Sequence, residues 1–140
     1  MNTPPRLRVL LADPDRRVRN ALRELLSAEP DLDICASVGT VSAALEHLGA
    51  EPPDVALMDV LLPGPADGLK LLAALQRLGL PAVVLTAASS LRDQTQQSGA
   101  TAFLEKDGQV DGIVSALRSA SRQFQRDHQA TSQIFSARSV

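Results

Sequence analysis

The sequence is poor in cysteine and in aromatic residues. Cys35 is the only cysteine, so the chain can form neither an internal disulfide nor a cysteine zinc cluster. We interpret Cys35 as a small buried side chain in a reducing compartment. Aromatic residues make up 2% of the sequence, with no Trp and no Tyr, which leaves little material for a surface that stacks on nucleic-acid bases.

Long hydrophobic runs and a large net charge are also absent. No apolar run approaches membrane-spanning length, and residues 1–6 lack the apolar core of a signal peptide. We therefore expect a cytoplasmic protein that contacts no membrane. The formal net charge of −2 does not call for a polyanionic partner. With 140 residues, 44% of them hydrophobic, the chain can build one compact core.

Short apolar runs alternate with amphipathic stretches along the chain. Parallel strands need crossover connections, so this order predicts an α/β fold: a five-stranded parallel sheet with helices on both faces. The fourth helix has to come from residues 89–98, where Leu91 is the one strong apolar residue. We expect that helix to be short, frayed or irregular. The predicted strands cover 8–12, 32–37, 54–59, 82–86 and a stretch from 101 to near 106.

We place one domain at residues 6–124. Residues 1–5 are predicted to be a flexible N-terminus, and the mostly polar residues 125–140 a tail or linker.

Four polar side chains fall at the carboxyl ends of predicted strands: Asp13, Asp59, Thr86 and Lys106. Functional groups gather at this edge of open parallel sheets. Their types suit phosphoryl transfer, with Asp59 as nucleophile, Asp13 as a Mg²⁺ ligand, Lys106 offsetting charge and Thr86 binding a phosphoryl oxygen. Singly, each has a structural explanation; Asp13 could cap the first helix, with Pro14 at its first position. Together, they favour the functional interpretation.

The segments around these residues resemble the receiver domain of two-component response regulators, over roughly residues 6–124. Phe103 matches the aromatic residue that switches rotamer in that family. The matching segments are Leu10-Leu11-Ala12-Asp13, Val55-Ala56-Leu57-Met58-Asp59 with Pro63-Gly64 and Asp67-Gly68 after it, Val83-Val84-Leu85-Thr86-Ala87, and Gly99-Ala100-Thr101-Ala102-Phe103-Leu104-Glu105-Lys106.

The resemblance implies a flavodoxin-like, doubly wound sheet in the order 2-1-3-4-5. It also implies that Asp59 accepts a phosphoryl group from a sensor histidine kinase. Mg²⁺ would be held by Asp13, Asp59 and the backbone carbonyl of Leu61, and Thr86 and Phe103 would form the switch. Enzymatic activity would be limited to self-phosphorylation from a donor and autodephosphorylation.

The pair Lys106-Asp107 resembles the branch of the family whose output domains are helix-turn-helix DNA binders, which implies a role in transcription regulation. We expect no direct nucleic-acid binding by this chain, because no recognition-helix pattern follows residue 124. The sequence does not identify the output domain or downstream protein. By resemblance alone, the first and last helices are candidate surfaces for a homodimer.

Two positions depart from the family pattern. Pro14 stands where the family has a second acid that binds the metal directly, so either Asp13 and Asp15 together compensate or Mg²⁺ binds weakly. Pro14 therefore also supports an alternative function, a pseudo-receiver that keeps the fold as an interaction module and has lost the chemistry. Leu61 is apolar at a position that tunes hydrolysis, and an apolar group cannot orient the attacking water, which implies a long-lived phosphoryl state.

A second alternative, ranked lowest, is a phosphatase of the haloacid-dehalogenase type. Asp13-Pro14-Asp15 is similar to the Asp-x-Asp motif of that family, with Thr86 and Lys106 as later partners. Against it, Arg16 and Arg17 follow where Thr or Val is expected, and the chain is short for that fold.

Overall fold

The computed structural model of the chain describes residues 6–107 and 110–122. The predicted N-terminal segment 1–5 and the predicted tail 125–140 lie outside these residues. Within the described part, five strands alternate with helices, as predicted. The strands are β1 (Leu7–Ala12), β2 (Leu32–Val38), β3 (Val55–Met58), β4 (Ala82–Thr86) and β5 (Ala102–Glu105). The helices are α1 (Arg16–Ser27), α2 (Val41–Ala50), α3 (Pro65–Arg77), α4 (Arg92–Gln97) and α5, of which residues 110–122 are described.

All neighbouring strands are parallel, in the order β2-β1-β3-β4-β5, which confirms the predicted topology. The register places the ends of the central strands side by side. Ala12 at the end of β1 pairs with Met58 at the end of β3, and the amide of Asp59 donates to the carbonyl of Ala12 at 2.9 Å. Residues that follow β1 and β3 therefore leave the sheet next to each other.

Alternate residues of the central strands pack into two separate cores, one on each face of the sheet. On one face, strand residues such as Leu10 and Met58 pack with α2, α3 and Phe103. On the other face, strand residues such as Leu11 and Leu57 pack with α1 and α5. Both faces of the sheet are thus covered, and this explains why the strands read as unbroken apolar runs rather than alternating ones.

Two helix ends are set by residues next to them. Helix α1 is capped by Asp15, whose Oδ1 accepts from the amide of Arg17 at 2.8 Å, so the structural alternative in which Asp13 caps it does not apply. Helix α2 includes Gly49 and ends at Ala50, shortly before the Pro52-Pro53 pair. A single glycine in the last turn costs a helix only about 1 kcal/mol, too little to end it earlier.

The α3 helix begins beside the loop that follows β3. Gly68 lies so close to this loop that a Cβ atom there would stand 1.7 Å from the carbonyl oxygen of Val60. The amide of Gly64 donates to Oδ2 of Asp67 at 3.3 Å and fastens the first turn. The helix ends at Arg77, and two residues later Gly79 has a φ of 69°, in the left-handed region that favours glycine.

The helix between β4 and β5 is short, as predicted. A 3-10 turn (Ser89–Leu91) leads into α4, which has six residues, and Thr95 is the one buried residue among them. At the opposite face, α5 is tied to the loop before β2, because the guanidinium of Arg118 lies 2.7 Å from Asp31 and 3.1 Å from Glu29. No helix in the described ranges is long and apolar enough to cross a membrane.

Candidate functional site

Lys106 lies between two carboxylates at the carboxyl end of the sheet. Its Nζ is 2.7 Å from Oδ2 of Asp13 and 2.7 Å from Oδ2 of Asp59. The side chains of Asp13 and Asp59 are 3% and 6% exposed, whereas Lys106 keeps 24% of its side chain exposed. The structure therefore brings together three of the four residues predicted at this edge, with the cation on the solvent side.

The second oxygen of each carboxylate is held by the backbone of the following loop. Oδ1 of Asp13 accepts from the amide of Asp15 at 2.9 Å, and Oδ1 of Asp59 accepts from the amide of Leu61 at 3.0 Å. Each carboxylate thus accepts one hydrogen bond from a backbone amide and makes one contact with the Lys106 ammonium. Charge-assisted bonds of this kind fix both side chains in place before any ligand arrives.

Two opposing effects act on the pKa of Lys106. Burial disfavours the charged ammonium and on its own would lower the pKa. The hydrogen bonds from Asp13 and Asp59, together with their negative charges, outweigh burial and raise the pKa above its ordinary value. Lys106 therefore remains a cation at neutral pH, where it can offset negative charge next to Asp59.

Thr86 ends β4 and is fully buried. Its hydroxyl accepts from the amide of Ala88 at 3.2 Å, and its carbonyl accepts from the amide of Lys106 at 3.0 Å. The second contact attaches the backbone of Lys106 to β4 just beyond the end of β5. Thr86 is therefore joined directly to the residue that contacts both carboxylates.

Phe103, the predicted switch aromatic, is buried in the core that faces α2 and α3, with 7% of its surface exposed. The guanidinium of Arg92 lies over its ring, 5.0 Å from the centroid. Sequence analysis did not identify Arg92, because only the three-dimensional placement of the short helix α4 brings it to β5. A charged residue in a polar segment carries no signal of such a contact.

The structure does not bring Asp15 to the carboxylate pair as a third acid. Its carboxylate is occupied in capping α1, and the described residues contain no group of three or more acids, histidines or cysteines able to hold a metal ion. Pro14 has no carboxylate to contribute. Among the described residues, the pocket thus offers two carboxylates and neighbouring carbonyls, and oxygen ligands of this kind are the ones that Mg²⁺ takes.

Arg19 is a second cation near the pocket that sequence analysis missed. Its guanidinium donates to the carbonyl of Asp13 at 2.7 Å, and it fills the space beside Gly39, where a Cβ would come within 2.7 Å of it. In the sequence, Arg19 is one of several arginines in the first helix, and nothing in the pattern sets it apart from the others. The absence of a side chain at Gly39, across the β1–β2 pair, could not be connected with Arg19 without the structure.

Comparison with known proteins decides the family. The sequence model of the response regulator receiver domain matches residues 9–118. The chain belongs to the response regulator receiver family. Its fold matches the solved receiver domain of the putative response regulator NarL from Mycobacterium tuberculosis with a TM-score of 0.77 and 30% identity, over 85% of this chain and 98% of that one.

Curated relatives of the receiver include transcription regulators. The regulatory protein NarL of Mycobacterium tuberculosis is 33% identical over 118 residues, which cover 81% of this chain and 54% of that protein. Response regulator MprA of Mycobacterium leprae is 32% identical over 130 residues, covering 90% of this chain and 56% of that protein. The receiver therefore spans about half the length of these relatives, in agreement with the predicted likeness to regulators of transcription.

The family match also bears on the phosphatase alternative. That alternative needs the carboxylates of Asp13 and Asp15 to act together at one site, but in the structure the two carboxylates make different contacts. Asp13 contacts Lys106, whereas Asp15 caps α1. The Asp-x-Asp similarity was therefore misleading, because it depended on spacing alone.

Proposed function

We propose that this receiver is a phosphorylation-dependent signalling switch that accepts a phosphoryl group on Asp59 from a sensor histidine kinase. The observation that carries the proposal is the position of Lys106 Nζ, 2.7 Å from both Asp13 and Asp59. This arrangement places a fixed cation beside the carboxylate that would react. Phosphoryl transfer is catalysed mainly by positioning and by charge stabilisation, and the pocket offers both.

In the proposed reaction, a carboxylate oxygen of Asp59 forms a bond to phosphorus while the bond from phosphorus to the donor nitrogen breaks. Lys106 offsets the negative charge of the transferring group. Asp13, Asp59 and the carbonyl of Leu61 would hold Mg²⁺, which supplies further positive charge to the phosphoryl oxygens. The hydroxyl of Thr86 would then donate to a phosphoryl oxygen. Catalysis by this chain would be limited to accepting the group and to its hydrolysis.

Metal binding in this receiver is proposed to be weak. The family's second acid is replaced by Pro14, and one carboxylate oxygen of Asp15, Oδ1, is engaged in the cap on α1. Mg²⁺ dehydrates reluctantly and often uses one or two carboxylates together with phosphate oxygens. We therefore expect the metal to bind mainly when a phosphoryl donor is also present.

Leu61 bears on the lifetime of the modified state. Its side chain is partly buried against the core that contains Phe103 and cannot donate to or accept from water. We propose that hydrolysis of the phosphoryl group is slow, and that Leu61→Asn, which adds a polar group beside Asp59, speeds it. A matched control is Leu69→Asn, which adds the same amide on α3. Equal lifetimes in the wild type and Leu61→Asn would contradict this assignment.

The proposal is tested by incubating the chain with acetyl phosphate and Mg²⁺ and measuring its intact mass. We expect addition of one phosphoryl group in the wild type and none in Asp59→Asn. Asp54→Asn is the matched control, because Asp54 lies at the opposite end of β3, where its carboxylate accepts from the amide of Arg8 at 2.8 Å. An unmodified wild type would support the pseudo-receiver alternative, in which the fold serves only as an interaction module.

Partners beyond the kinase follow from the relatives. We propose that the receiver controls a DNA-binding output, carried on the same protein or on a downstream partner, and that the chain itself does not bind nucleic acid. A homodimer through α1 and α5 is proposed as the arrangement that would link modification to output. Sedimentation of the chain before and after treatment with acetyl phosphate tests the dimer.

A further inference from the structure

Arg19 holds a fixed position beside the carboxylate pocket. Its Nη1 donates to the backbone carbonyl of Asp13 at 2.7 Å. A Cβ atom on Gly39 would stand 2.7 Å from this nitrogen and 3.3 Å from Cζ, so the guanidinium lies directly over the glycine. Arg19 is half-buried, whereas the other three arginines of α1 are exposed. Its charge is therefore held in place on two sides, in contrast to those of its neighbours on the helix.

The contact with the carbonyl puts this positive charge close to the carboxylate of Asp13. The two groups belong to one residue, so bond lengths allow at most about 8 Å between Nη1 of Arg19 and the carboxylate oxygens. That is no more than about one Debye length at physiological ionic strength. The side chain of Asp13 is 3% exposed, and salt screens buried charges less than exposed ones. The charge of Arg19 therefore acts on any ion that binds to Asp13.

The fixed charges of the pocket cancel. Asp13 and Asp59 carry two negative charges, and Lys106 lies 2.7 Å from both. Arg19 adds a second cation behind Asp13, and Pro14 adds no acid. A divalent cation that enters the pocket thus meets little surplus negative charge, although the two carboxylates still offer it oxygen ligands.

We propose that Arg19, fixed between the carbonyl of Asp13 and Gly39, is a positioning residue whose charge weakens the binding of Mg²⁺ to the carboxylate pocket. The weak binding then has two causes, the added cation and the missing acid. Asp15 does not compensate at close range, because it is exposed and its Oδ1 caps α1. A second part rests on the proposed function: phosphorylation of Asp59 needs more Mg²⁺ than it would without Arg19.

The first test is titration of the full, unmodified chain with Mg²⁺, followed by the amide NMR signals of Asp59 and Leu61. Coulomb's law in water, with and without screening by salt, gives roughly a two- to fivefold effect of one charge on a divalent ion at such distances. We expect Arg19→Gln to bind Mg²⁺ more tightly by about that factor, and the difference to shrink as salt is added. Arg19→Lys should stay near the wild type, because it keeps the charge.

Gly39→Ala is a second variant that keeps the charge and moves it. The new Cβ would crowd the end of the flexible Arg19 side chain, and Gly39 is not among the glycines with positive φ, so alanine suits the backbone. We expect a smaller gain in Mg²⁺ affinity than in Arg19→Gln. Arg23→Gln is the matched control, because it removes the same charge from an exposed position one turn further along α1. It should leave the affinity unchanged.

Three results would overturn the first part. One is an affinity for Mg²⁺ that is unchanged or lower in Arg19→Gln, which would make Arg19 only a structural support for the backbone of Asp13. Another is an equal gain in Arg23→Gln, which would show a general effect of the charge of α1. The third is the absence of detectable Mg²⁺ binding in the wild type and in every variant.

The second test measures the rate of modification by acetyl phosphate, from the intact mass, over a series of Mg²⁺ concentrations. We expect the concentration that gives half the maximal rate to fall in Arg19→Gln by the same factor as the dissociation constant. An equal Mg²⁺ requirement in the two chains would overturn the second part. If the wild type takes up no phosphoryl group, the proposed function and the second part both fail, whereas the titration of the unmodified chain still decides the first part.

Discussion

Lys106 donates from Nζ to Oδ2 of Asp59 at 2.7 Å, across 47 positions of the sequence. The same nitrogen contacts Asp13, so one cation serves two buried carboxylates. This relationship makes the stability of the chain depend on the three residues as a unit. Removal of the Lys106 cation should therefore lower the free energy of unfolding strongly only while Asp13 and Asp59 are both present.

Replacement of Lys106 by Met should expose this dependence. The variant leaves two buried carboxylates without a cation, and we expect the free energy of unfolding at neutral pH to fall by about 1–3 kcal/mol, between the values for exposed and buried pairs. In a background that already carries Asp13→Asn and Asp59→Asn, the same replacement should cost much less. Urea denaturation of the four chains measures the coupling. Equal losses in both backgrounds would show that Lys106 acts by packing rather than by charge.

The pH dependence of this contribution has a definite sign. The pKa of Lys106 is raised in the folded chain, because the two carboxylates outweigh the effect of burial. The stabilisation is therefore fully present below the ordinary lysine pKa of 10.5 and is lost as the pH rises through the higher, folded pKa. The difference in unfolding free energy between the wild type and Lys106→Met should be constant from neutral pH to that value and shrink above it. A difference that already shrinks just above neutral pH would mean that burial dominates and the pKa is lowered.

Substitutions of Asp15 can distinguish a role in capping α1 from a role in binding the metal. The structure makes it the cap of α1, so Asp15→Ala should lower the unfolding free energy by about 1 kcal/mol, and Asp15→Asn, which still caps, by much less. Thr40→Ala at the cap of α2 is the matched control for stability, since the Thr40 hydroxyl accepts from the amide of Ala43. Mg²⁺ titration by calorimetry should give the same affinity for the wild type and Asp15→Asn. A clear loss of affinity in Asp15→Asn would instead make Asp15 the replacement for the missing acid.

Gly68 tests the packing that places the loop after β3. A Cβ atom at Gly68 would stand 1.7 Å from the carbonyl oxygen of Val60, so Gly68→Ala must push α3 away from the loop that carries Leu61. We expect a loss of stability of about 1–3 kcal/mol or more. Gly112→Ala in α5 is the matched control, because nothing lies within 4 Å of a Cβ there, and it should stabilise the chain by roughly 0.5–1 kcal/mol. Thermal unfolding of both variants suffices; a harmless Gly68→Ala would mean that this close approach is not required.

The parts of the fold that sequence predicts are those set by repeated apolar pattern. The unbroken apolar strands and the helical spacing of residues such as Leu22 and Leu26 reflect burial, which a sequence expresses directly. The edge that carries Asp13, Asp59, Thr86 and Lys106 follows from the parallel order. The resemblance to receivers, and not the pattern, supplied the strand order 2-1-3-4-5.

The parts that could not be predicted depend on single contacts between distant residues. Spacing suggested Asp13 as a helix cap because Pro14 follows it, but the register of β1 holds Asp13 beside Lys106 and leaves the cap to Asp15. The contact of Arg92 with Phe103 depends on where a six-residue helix docks. The periodic pattern of the sequence predicts neither the cap of α1 nor the contact of Arg92 with Phe103, because each depends on backbone geometry at one position.

The central claim is that Asp59, and not a neighbouring acid, accepts the phosphoryl group. The most direct measurement is peptide mapping by mass spectrometry after treatment with acetyl phosphate and Mg²⁺, with the labile group fixed by borohydride reduction. We predict that the modification lies on Asp59 alone, with Asp13 and Asp15 unmodified. Modification of Asp13, or no modification of any of the three under conditions where the chain is folded, would contradict the account.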